Sequence, residues 1–319
     1  MADTIPNFYA PPRTFMGAER ITDLSAQTLD YAMLGVPFAE GTFAPHIQSG
    51  QADMPNALRD NPPTIFFDIG DVGLYDVDTD LTLLQGTKIG DIGDVVISPG
   101  EGELNRNRIT NSVKAVLKAG AVPITVGGDH SITYPLVRGF ENCGYKIDFI
   151  YFDAHLDFAD MPLESEFNHG TQTTHIRRLP FVRNITVIGA RNSTAAEFKR
   201  AKQAGIRIVP VSEVDARGAE AIMQEVIDAS VPTYVSLDID GMDAIYVPGT
   251  THPESGGMTF KQQKELLLEL NRAAKGNICG FDIVELCPAN DVNHITALTA
   301  SKLTALMMGY RTHFLNLSA

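Results

Sequence analysis

The chain has 319 residues, of which 44% are hydrophobic and 20% charged, a composition typical of a globular protein with a sizeable buried core. Its formal net charge of −14 at pH 7 argues against nucleic acid and anionic membranes as partners, because both would be repelled. The charge is compatible with a cationic substrate, although an acidic surface that only keeps the protein in solution is the plainer interpretation.

The N-terminal segment, residues 1–30, lacks the basic-then-apolar pattern of a signal peptide, and we expect an N-terminal arm packed on the body or on a neighbour. No apolar run approaches the ~20 residues that span a bilayer. The chain has 3 cysteines and no CxxC pair, which indicates reduced thiols and not a disulfide framework. These features predict a cytoplasmic protein without a membrane partner.

From Tyr31 onward, apolar runs rich in β-branched residues alternate with amphipathic helical stretches. The runs suit strands buried on both faces of a parallel sheet, and they cover 31–38, 94–98, 122–128, 148–153, 185–190, 206–211, 233–238 and 279–286. Helices are predicted, several with an N-cap or a terminal glycine, over 108–120, 194–205, 218–230, 259–276 and 294–310. The alternation predicts one α/β domain over 1–319, with three α/β/α layers around a mostly parallel central sheet.

Residues 39–93 are rich in Gly, Pro, Asp and Thr and show little helical period. They are predicted to form long loops with short strands or turns. Loops of that length in a compact domain are usually functional.

Acidic and histidine side chains follow the apolar runs at the point where each run ends. Ligands bind at the carboxyl ends of strands in open parallel sheets, so these side chains are expected to meet at one edge. Clustered carboxylates are costly unless they are paired or bound to metal. The residues concerned are Asp129 and His130 in GGDHS, Asp153, His155 and Asp157 in DAHLD, Asp238 and Asp240 in DID, and Glu285.

This donor set predicts one or two divalent cations. A mixed Asp/His set with more oxygen than nitrogen suits Mn²⁺, with Ni²⁺, Co²⁺ or Fe²⁺ as alternatives. The set contains no cysteine, which argues against a structural zinc site. Alone, DID could be a capping or Mg²⁺ pair, and GGDHS could be a glycine turn with a helix N-cap. The alternation in DAHLD is more specific, and the three motifs together favour a metal centre.

The segments GGDHS, DAHLD and SLDIDGMD resemble the signatures of the ureohydrolase (arginase/agmatinase) family. The resemblance runs from GVPFAEGT (35–42) to FDIVELCP (281–288). It implies an arginase-like fold and two divalent cations per chain, most simply Mn²⁺, with Ni²⁺ as the main alternative. One cation would be held by His130, Asp153, Asp157 and Asp238, and the other by Asp153, His155, Asp238 and Asp240. Asp129 would orient a ligand or fix the GGDHS turn.

The resemblance also implies three catalytic roles. Asp157 would relay a proton from the attacking water, and His169, in FNHGT, would be a proton shuttle that lies against the substrate. Glu285 would pair with the substrate guanidinium. The plainer interpretations are a surface-loop histidine for His169 and a salt bridge to a neighbouring helix for Glu285.

Several segments depart from the family pattern and affect the choice of substrate. His252 stands where relatives carry a small threonine beside the guanidinium pocket, so a substrate-binding role is expected for it. Residues 43–59 lack the usual Arg-Pro-Gly-Ala-Arg run. The acids Asp160, Glu164 and Glu166 could favour a substrate with a cationic tail or could simply be solvated. His175 either lines the same mouth or belongs to a helix surface.

The expected activity is hydrolysis of a C–N bond in a small cationic, agmatine-like guanidino compound, which releases urea and an amine. Guanidine or a biguanide such as metformin is the alternative substrate. Two other functions stay open: a one-zinc amidohydrolase resembling histone deacetylases, and a non-catalytic subunit that stabilises an active partner. The resemblance implies a homo-oligomer, either a trimer or a hexamer, and allows a hetero-oligomer with a related subunit.

Overall fold

The computed structural model describes residues 8–42, 50–63, 69–160 and 167–318. Its strands are β1 (Phe8–Tyr9), β2 (Glu19–Arg20), β3 (Tyr31–Gly35), β4 (Leu74–Asp76), β5 (Leu81–Leu83), β6 (Ile89–Val95), β7 (Val122–Val126), β8 (Ile147–Phe152), β9 (Val182–Ala190), β10 (Arg207–Pro210), β11 (Thr233–Asp238) and β12 (Ile278–Val284). Its α-helices are α1 (Met54–Asp60), α2 (Ile69–Val72), α3 (Gly102–Lys118), α4 (Thr133–Arg138), α5 (Gln172–Ile176), α6 (Ala195–Gln203), α7 (Val211–Val226), α8 (Phe260–Ala273) and α9 (Ile295–Ser318).

The central sheet has the strand order β1-β6-β3-β7-β12-β11-β8-β9-β10, and β2 also pairs with β6. The short strand β1 runs antiparallel to β6, whereas the other pairings of this sheet are parallel. Strands β4 and β5 form a separate antiparallel pair. The predicted α/β class with a mostly parallel central sheet is therefore confirmed.

The two faces of the sheet are covered by separate apolar cores, which explains why its strands read as continuous apolar runs. In β8, Ile150 and Phe152 contribute to the core that contains side chains of α1, α7, α8 and α9. Phe149 and Tyr151, which alternate with them, contribute to the core that contains side chains of α3, α4, α5 and α6. The helices thus form an outer layer on each face.

The prediction of long loops with short strands or turns over 39–93 agrees with the short strands β4 and β5, but it is wrong in part, because this stretch also contains α1, α2 and most of β6. The strand predicted over 94–98 is β6, which begins at Ile89. Glycine and aspartate dominate its sequence and are poor strand formers. The buried Arg59 of α1 compensates, because its Nε lies 3.0 Å from Asp91 Oδ2 and its Nη1 lies 2.7 Å from Asp94 Oδ1.

The helix boundaries also differ from the predicted ones. α3 begins six positions before the predicted 108, and α9 continues to Ser318. α7 begins at Val211, before the predicted 218, and it is kinked at Gly218, where φ is 75°. A positive φ suits glycine, so Gly218 can separate two helical segments. The sequence pattern predicts a helix start at this position, whereas the structure has a kink there.

The described part of residues 1–30 lies along the outer edge of β6. Phe8–Tyr9 and Glu19–Arg20 pair with that strand, and the Arg59 guanidinium lies 3.9 Å from the centroid of the Phe15 ring. Within the described ranges, the helices are all too short or too polar to cross a membrane.

Candidate active site

The predicted site residues follow four parallel strands that are neighbours in the order β7-β12-β11-β8. Their carboxyl ends therefore lie at one edge of the sheet. Short 3-10 turns carry several of the side chains, namely His130–Ile132 after β7 and Ile239–Gly241 after β11. The structure brings all the predicted metal-ligating side chains together at this edge: His130, Asp153, His155, Asp157, Asp238 and Asp240.

The buried His130 ring lies among three carboxylates. Its Nδ1 is 3.1 Å from Asp153 Oδ2, 3.0 Å from Asp157 Oδ2 and 3.1 Å from Asp238 Oδ2. Despite these short distances the directions are unsuitable for hydrogen bonding, and among the described residues His130 Nδ1 and Asp153 Oδ2 have no hydrogen-bond partner. Adjacent ligands of an octahedral cation with ~2.1 Å bonds lie about 3.0 Å apart. The three distances from His130 Nδ1 therefore match the spacing of adjacent ligands around a cation.

A second group of donors shares Asp153 with the first. His155 Nδ1 lies 3.4 Å from Asp153 Oδ1 and 3.3 Å from Asp240 Oδ2. One oxygen of Asp153 therefore faces His130 and the other faces His155. The two oxygens of Asp238 also face different groups. Its Oδ1 accepts a hydrogen bond from the Asp240 amide at 2.9 Å, while its Oδ2 faces His130. The donor atoms fit two cations that share Asp153.

The pKa shifts at this edge follow from burial and crowding. Burial, then the charges of Asp240 and Asp153, raises the pKa of Asp238 well above its usual value. Burial, then the charge of Asp153, raises the pKa of Asp157 to about 6. Burial opposes protonation of His130, but its contacts with the surrounding carboxylates raise its pKa well above the usual range. Without a cation, the cluster is therefore stabilised only when it holds protons.

We expect the chelated protein to lose heat stability as the pH rises from 5 to 7.5. Asp157 and Asp129 have folded pKa values of about 6 against 3.8 for the free side chain, and burial is the main cause. A raised pKa contributes stability that is complete below the unfolded value and is lost as the pH rises through the folded value. Thermal unfolding with excess chelator should show this decline, and saturating Mn²⁺ should remove it. Equal unfolding temperatures at both pH values in chelator would contradict the assignment.

A polar network that the motifs did not predict orients the His130 ring. Its Nε2 lies 3.1 Å from Ser236 Oγ, which donates to Asp282 Oδ1 at 2.6 Å. The Ser236 proton is thus committed to Asp282, and its oxygen accepts the Nε2 proton of His130. Tyr234 and Thr133 donate to Asp282 as well. The tautomer assigned in this way leaves the Nδ1 lone pair free for a cation.

Replacing Ser236 by alanine should therefore lower metal affinity by about 10- to 100-fold, which is the usual cost of losing a partner that orients a ligand. Metal affinity can be measured by competition with a chelator of known strength. Ser112→Ala is a matched control, because the Ser112 hydroxyl only donates to the Arg108 carbonyl within α3. Unchanged metal affinity in Ser236→Ala would show that the network does not set the tautomer.

Asp129 fixes the GGDHS turn. Its Oδ1 accepts from the Ser131 amide at 3.0 Å and its Oδ2 accepts from the Gly41 amide at 2.7 Å. Of the two roles predicted for Asp129, the structure places it in the turn. The approach of the chain at Gly128 is so close that a Cβ there would overlap the Phe38 backbone, and only glycine fits.

The Glu285 carboxylate lies directly beside the His130 turn. Its Oε1 accepts from the His130 amide at 2.7 Å, and its Oε2 accepts from Gln51 Nε2 at 2.9 Å and from Thr251 Oγ1 at 3.2 Å. Its φ is 68°, a left-handed conformation that is costly for a side chain other than glycine. Such strain is typical of functional positions. Gln51 carries no motif that marks it as a site residue, because its segment has the composition of a loop.

Two histidines face Glu285. His169 Nδ1 lies 3.4 Å from Glu285 Oε1, and the His252 ring centroid lies 5.1 Å from that of His169. Burial lowers the pKa of His169, but the contact with Glu285 outweighs it and raises the value to about 9. Burial, then the charge of His169, lowers the pKa of His252. At neutral pH the pocket therefore holds a protonated and a neutral imidazole.

The prediction that His175 lines the mouth or lies on a helix surface is wrong. His175 is buried in α5, where its ring stacks on Phe167 at a centroid distance of 4.3 Å. The Arg106 guanidinium lies 3.9 Å from the centroid of the same phenylalanine ring. Asp160 is exposed, whereas Glu164, Glu166 and the segment 43–49 lie outside the described residues.

Arg191, which directly follows β9, is a further residue that the motifs missed. Its guanidinium donates to the carbonyls of Asp240 at 2.8 Å, Met242 at 3.2 Å and Glu254 at 2.9 Å. The same side chain therefore ties the turn that carries Asp240 to the loop that follows His252. An arginine at the end of a strand is visible in the sequence. Its hydrogen-bond acceptors are backbone carbonyls, which have no sequence signature, so its role could not be predicted.

The sequence model of the Arginase family matches residues 29–309. The chain belongs to the arginase family. It is 34% identical over 291 residues to "Agmatinase, mitochondrial" of Gallus gallus, covering 89% of this chain and 82% of the relative. It is 30% identical over 311 residues to "Guanidino acid hydrolase, mitochondrial" of Homo sapiens, covering 95% and 84%. A solved structure of a hypothetical agmatinase from Burkholderia thailandensis superposes with a TM-score of 0.80 at 26% identity, covering 98% and 94%.

Membership of this family confirms the resemblance and the arginase-like fold. It also makes this arginase-family chain a hydrolase of guanidino C–N bonds. The two relatives are named for different substrates, so family membership leaves the substrate open. Both are named as mitochondrial, and the predicted cytoplasmic location stays a prediction.

Proposed function

We propose that this arginase-family chain is a binuclear-metal amidinohydrolase that hydrolyses a C–N bond of a small cationic, agmatine-like guanidino compound to urea and an amine. One observation carries the proposal. Three carboxylates surround the Nδ1 atom of His130, while the backbone amide of the same residue donates to Glu285. A cation-binding cluster and a carboxylate suited to a guanidinium ion are thereby held side by side.

The oxygen-rich donor set favours Mn²⁺, and Ni²⁺ is the main alternative. One cation would be held by His130, Asp153, Asp157 and Asp238, and the other by Asp153, His155, Asp238 and Asp240. When bound, such a pair would supply a nucleophile for the guanidinium carbon by lowering the pKa of a water in the site towards neutrality.

Three side chains of this protein would then manage charge and protons. Glu285 pairs with the substrate guanidinium, since a carboxylate matches the planar fork of N–H donors. Asp157, whose Oδ2 lies 3.0 Å from His130 Nδ1 at the edge where the water would sit, would accept the proton that the attacking water loses. His169, whose pKa of about 9 keeps it protonated beside Glu285, is suited to supply the proton that the leaving nitrogen requires.

A second candidate substrate is guanidine itself or a biguanide of the metformin type. His252 favours it, because an imidazole at this place fills more of the pocket beside Thr251 than a threonine side chain does. Its Nδ1 lies 3.1 Å from Thr251 Oγ1, which in turn donates to Glu285. A crowded pocket around Glu285 favours compact guanidino compounds over those with long tails.

A substrate panel tests the proposal. The protein is loaded with Mn²⁺ or Ni²⁺ and given agmatine, guanidine, metformin, guanidinobutyrate and arginine, with urea, ammonia and amine measured separately. We expect turnover of a cationic or unsubstituted compound and little turnover of the two carboxylates. The absence of turnover with either metal would contradict the proposal.

A metal-loaded chain that becomes active only after a related subunit is added would instead support the role of a non-catalytic partner. One zinc per chain would support the histone-deacetylase-like alternative. The trimeric or hexameric state stays a prediction that the mass of the purified protein can test.

A further inference from the structure

A third group of metal-binding side chains lies outside the proposed binuclear centre, in the guanidinium pocket itself. It consists of His169, His252 and Glu285, and one donor atom from each lies within 4.8 Å of the other two. We propose that this group is a third-cation site, which takes Zn²⁺ or Ni²⁺ and thereby closes the pocket to substrate. The blocking effect and the count of three cations rest on the proposed function, whereas the binding of a cation by this group does not.

The donors of this group are held in place before any cation arrives, and a bound cation would displace the proton that His169 carries at neutral pH. Glu285 is fixed by the His130 amide at 2.7 Å and by Gln51 Nε2 at 2.9 Å. Its neighbour Thr251 has a single hydroxyl proton, which it donates to Glu285 Oε2 at 3.2 Å. The Thr251 oxygen must then accept the Nδ1 proton of His252 at 3.1 Å. This arrangement leaves the Nε2 lone pair of His252 free to bind a cation.

The folding of two separate loops brings the histidines to this position. Residues 249–252 are held beside Glu285 because Thr250 bridges to Leu286 and the Cys287 amide donates to the Gly249 carbonyl at 2.8 Å. His169 begins a 3-10 turn, and its amide donates to the Gly41 carbonyl at 3.1 Å. The backbone therefore places both rings on the same carboxylate, although 83 positions separate the two histidines in the sequence (252 − 169).

The chemistry of the set determines which cation it prefers. Two imidazoles and one carboxylate with an open fourth position form a donor set that zinc uses in catalytic sites. Tetrahedral ligands with ~2.0–2.1 Å bonds lie about 3.3 Å apart, so a small rotation of the two partly exposed histidines closes the group. Imidazole donors suit Zn²⁺ and Ni²⁺, and the preference over Mn²⁺ is expected to be greater here than at the oxygen-rich binuclear cluster.

The consequence for catalysis follows from the shared carboxylate. Glu285 cannot bind a cation and pair with a guanidinium ion at the same time, so the two ligands exclude each other. Zn²⁺ should therefore inhibit competitively, and activation by a metal should turn into inhibition when that metal is in excess.

Metal counting tests the proposal without any turnover. The full chain loaded with Mn²⁺ is dialysed against increasing Zn²⁺, and bound Mn and Zn are counted together by mass spectrometry, with and without guanidinium chloride. We expect the total to rise by one cation per chain and guanidinium to weaken this last binding step. A total that never exceeds two cations per chain, or a step that guanidinium leaves unchanged, would overturn the proposal.

Two variants locate the site. His252→Thr and His252→Asn should each weaken the last binding step by more than about 10-fold while the first two cations stay bound. His313→Thr, which changes a histidine on α9, is the matched control and should bind like the natural chain. If both His252 variants keep the step at full affinity, the cation lies elsewhere and the assignment is wrong. Because no substrate is used, this result is independent of whether the substrate panel succeeds.

Discussion

Replacing Asp238 by asparagine is expected to abolish activity while leaving the fold at least as stable in the absence of metal. The amide oxygen of the asparagine can still accept from the Asp240 amide, as the Asp238 Oδ1 atom does at 2.9 Å, but the anionic oxygen that faces His130 is lost. The loss of metal affinity should exceed the ~100-fold that follows from losing an orienting partner, and kcat should fall with it.

The unfolding temperature of the metal-free protein distinguishes a metal-binding role of Asp238 from a structural one. Burial and the neighbouring carboxylates raise the pKa of Asp238 well above its usual value, so its charge opposes folding when no cation is present. Chelated Asp238→Asn should therefore unfold at a temperature equal to or above that of the chelated natural chain. Asp160→Asn, which changes an exposed carboxylate, should keep metal, activity and stability. An Asp238→Asn protein that still binds two cations would refute the ligand assignment.

Replacing Glu285 by glutamine is expected to lower kcat/KM without removing the metals. Loss of one partner of a buried charge pair costs about 2–5 kcal/mol, which corresponds to a decrease of about 30- to several-thousand-fold. The effect should fall on substrate binding as well as turnover, because the carboxylate pairs with the guanidinium in both the ground state and the transition state.

Steady-state kinetics and metal analysis on the same preparation check this result. The control is Glu265→Gln, which changes a partly exposed carboxylate on α8 that lies 3.6 Å from Lys261 Nζ and outside the site motifs. It should change kcat/KM by less than about threefold, as expected for a partly exposed pair. If Glu285→Gln keeps full kcat/KM, Glu285 is not the guanidinium partner and another acceptor must bind the substrate.

The cluster of donors could be predicted from the sequence because each motif is local and follows a buried strand. The donors in DAHLD and DID are two positions apart, so the end of the strand is enough to place them at the same edge of the sheet. The sequence pattern also predicted the sheet, since strands buried on both faces read as continuous apolar runs.

What the sequence could not provide are pairings between distant segments. Gln51 contacts Glu285 across 234 positions, and Ser236 contacts Asp282 across 46. Neither pair has a signature of its own, because hydroxyl and amide side chains are common in loops and strands. The bounds of β6 differ from the predicted ones for the same reason, since its buried aspartates pair with Arg59, which lies on α1.

The central claim is that the strand-end cluster binds two divalent cations that share Asp153. It is tested most directly by a crystal structure of the Mn²⁺-loaded chain with anomalous difference maps recorded at the manganese edge. Two peaks are expected, one beside His130 Nδ1 and one beside His155 Nδ1, with an Asp153 oxygen next to each. A single peak, or a cluster neutralised by protons alone, would contradict the claim.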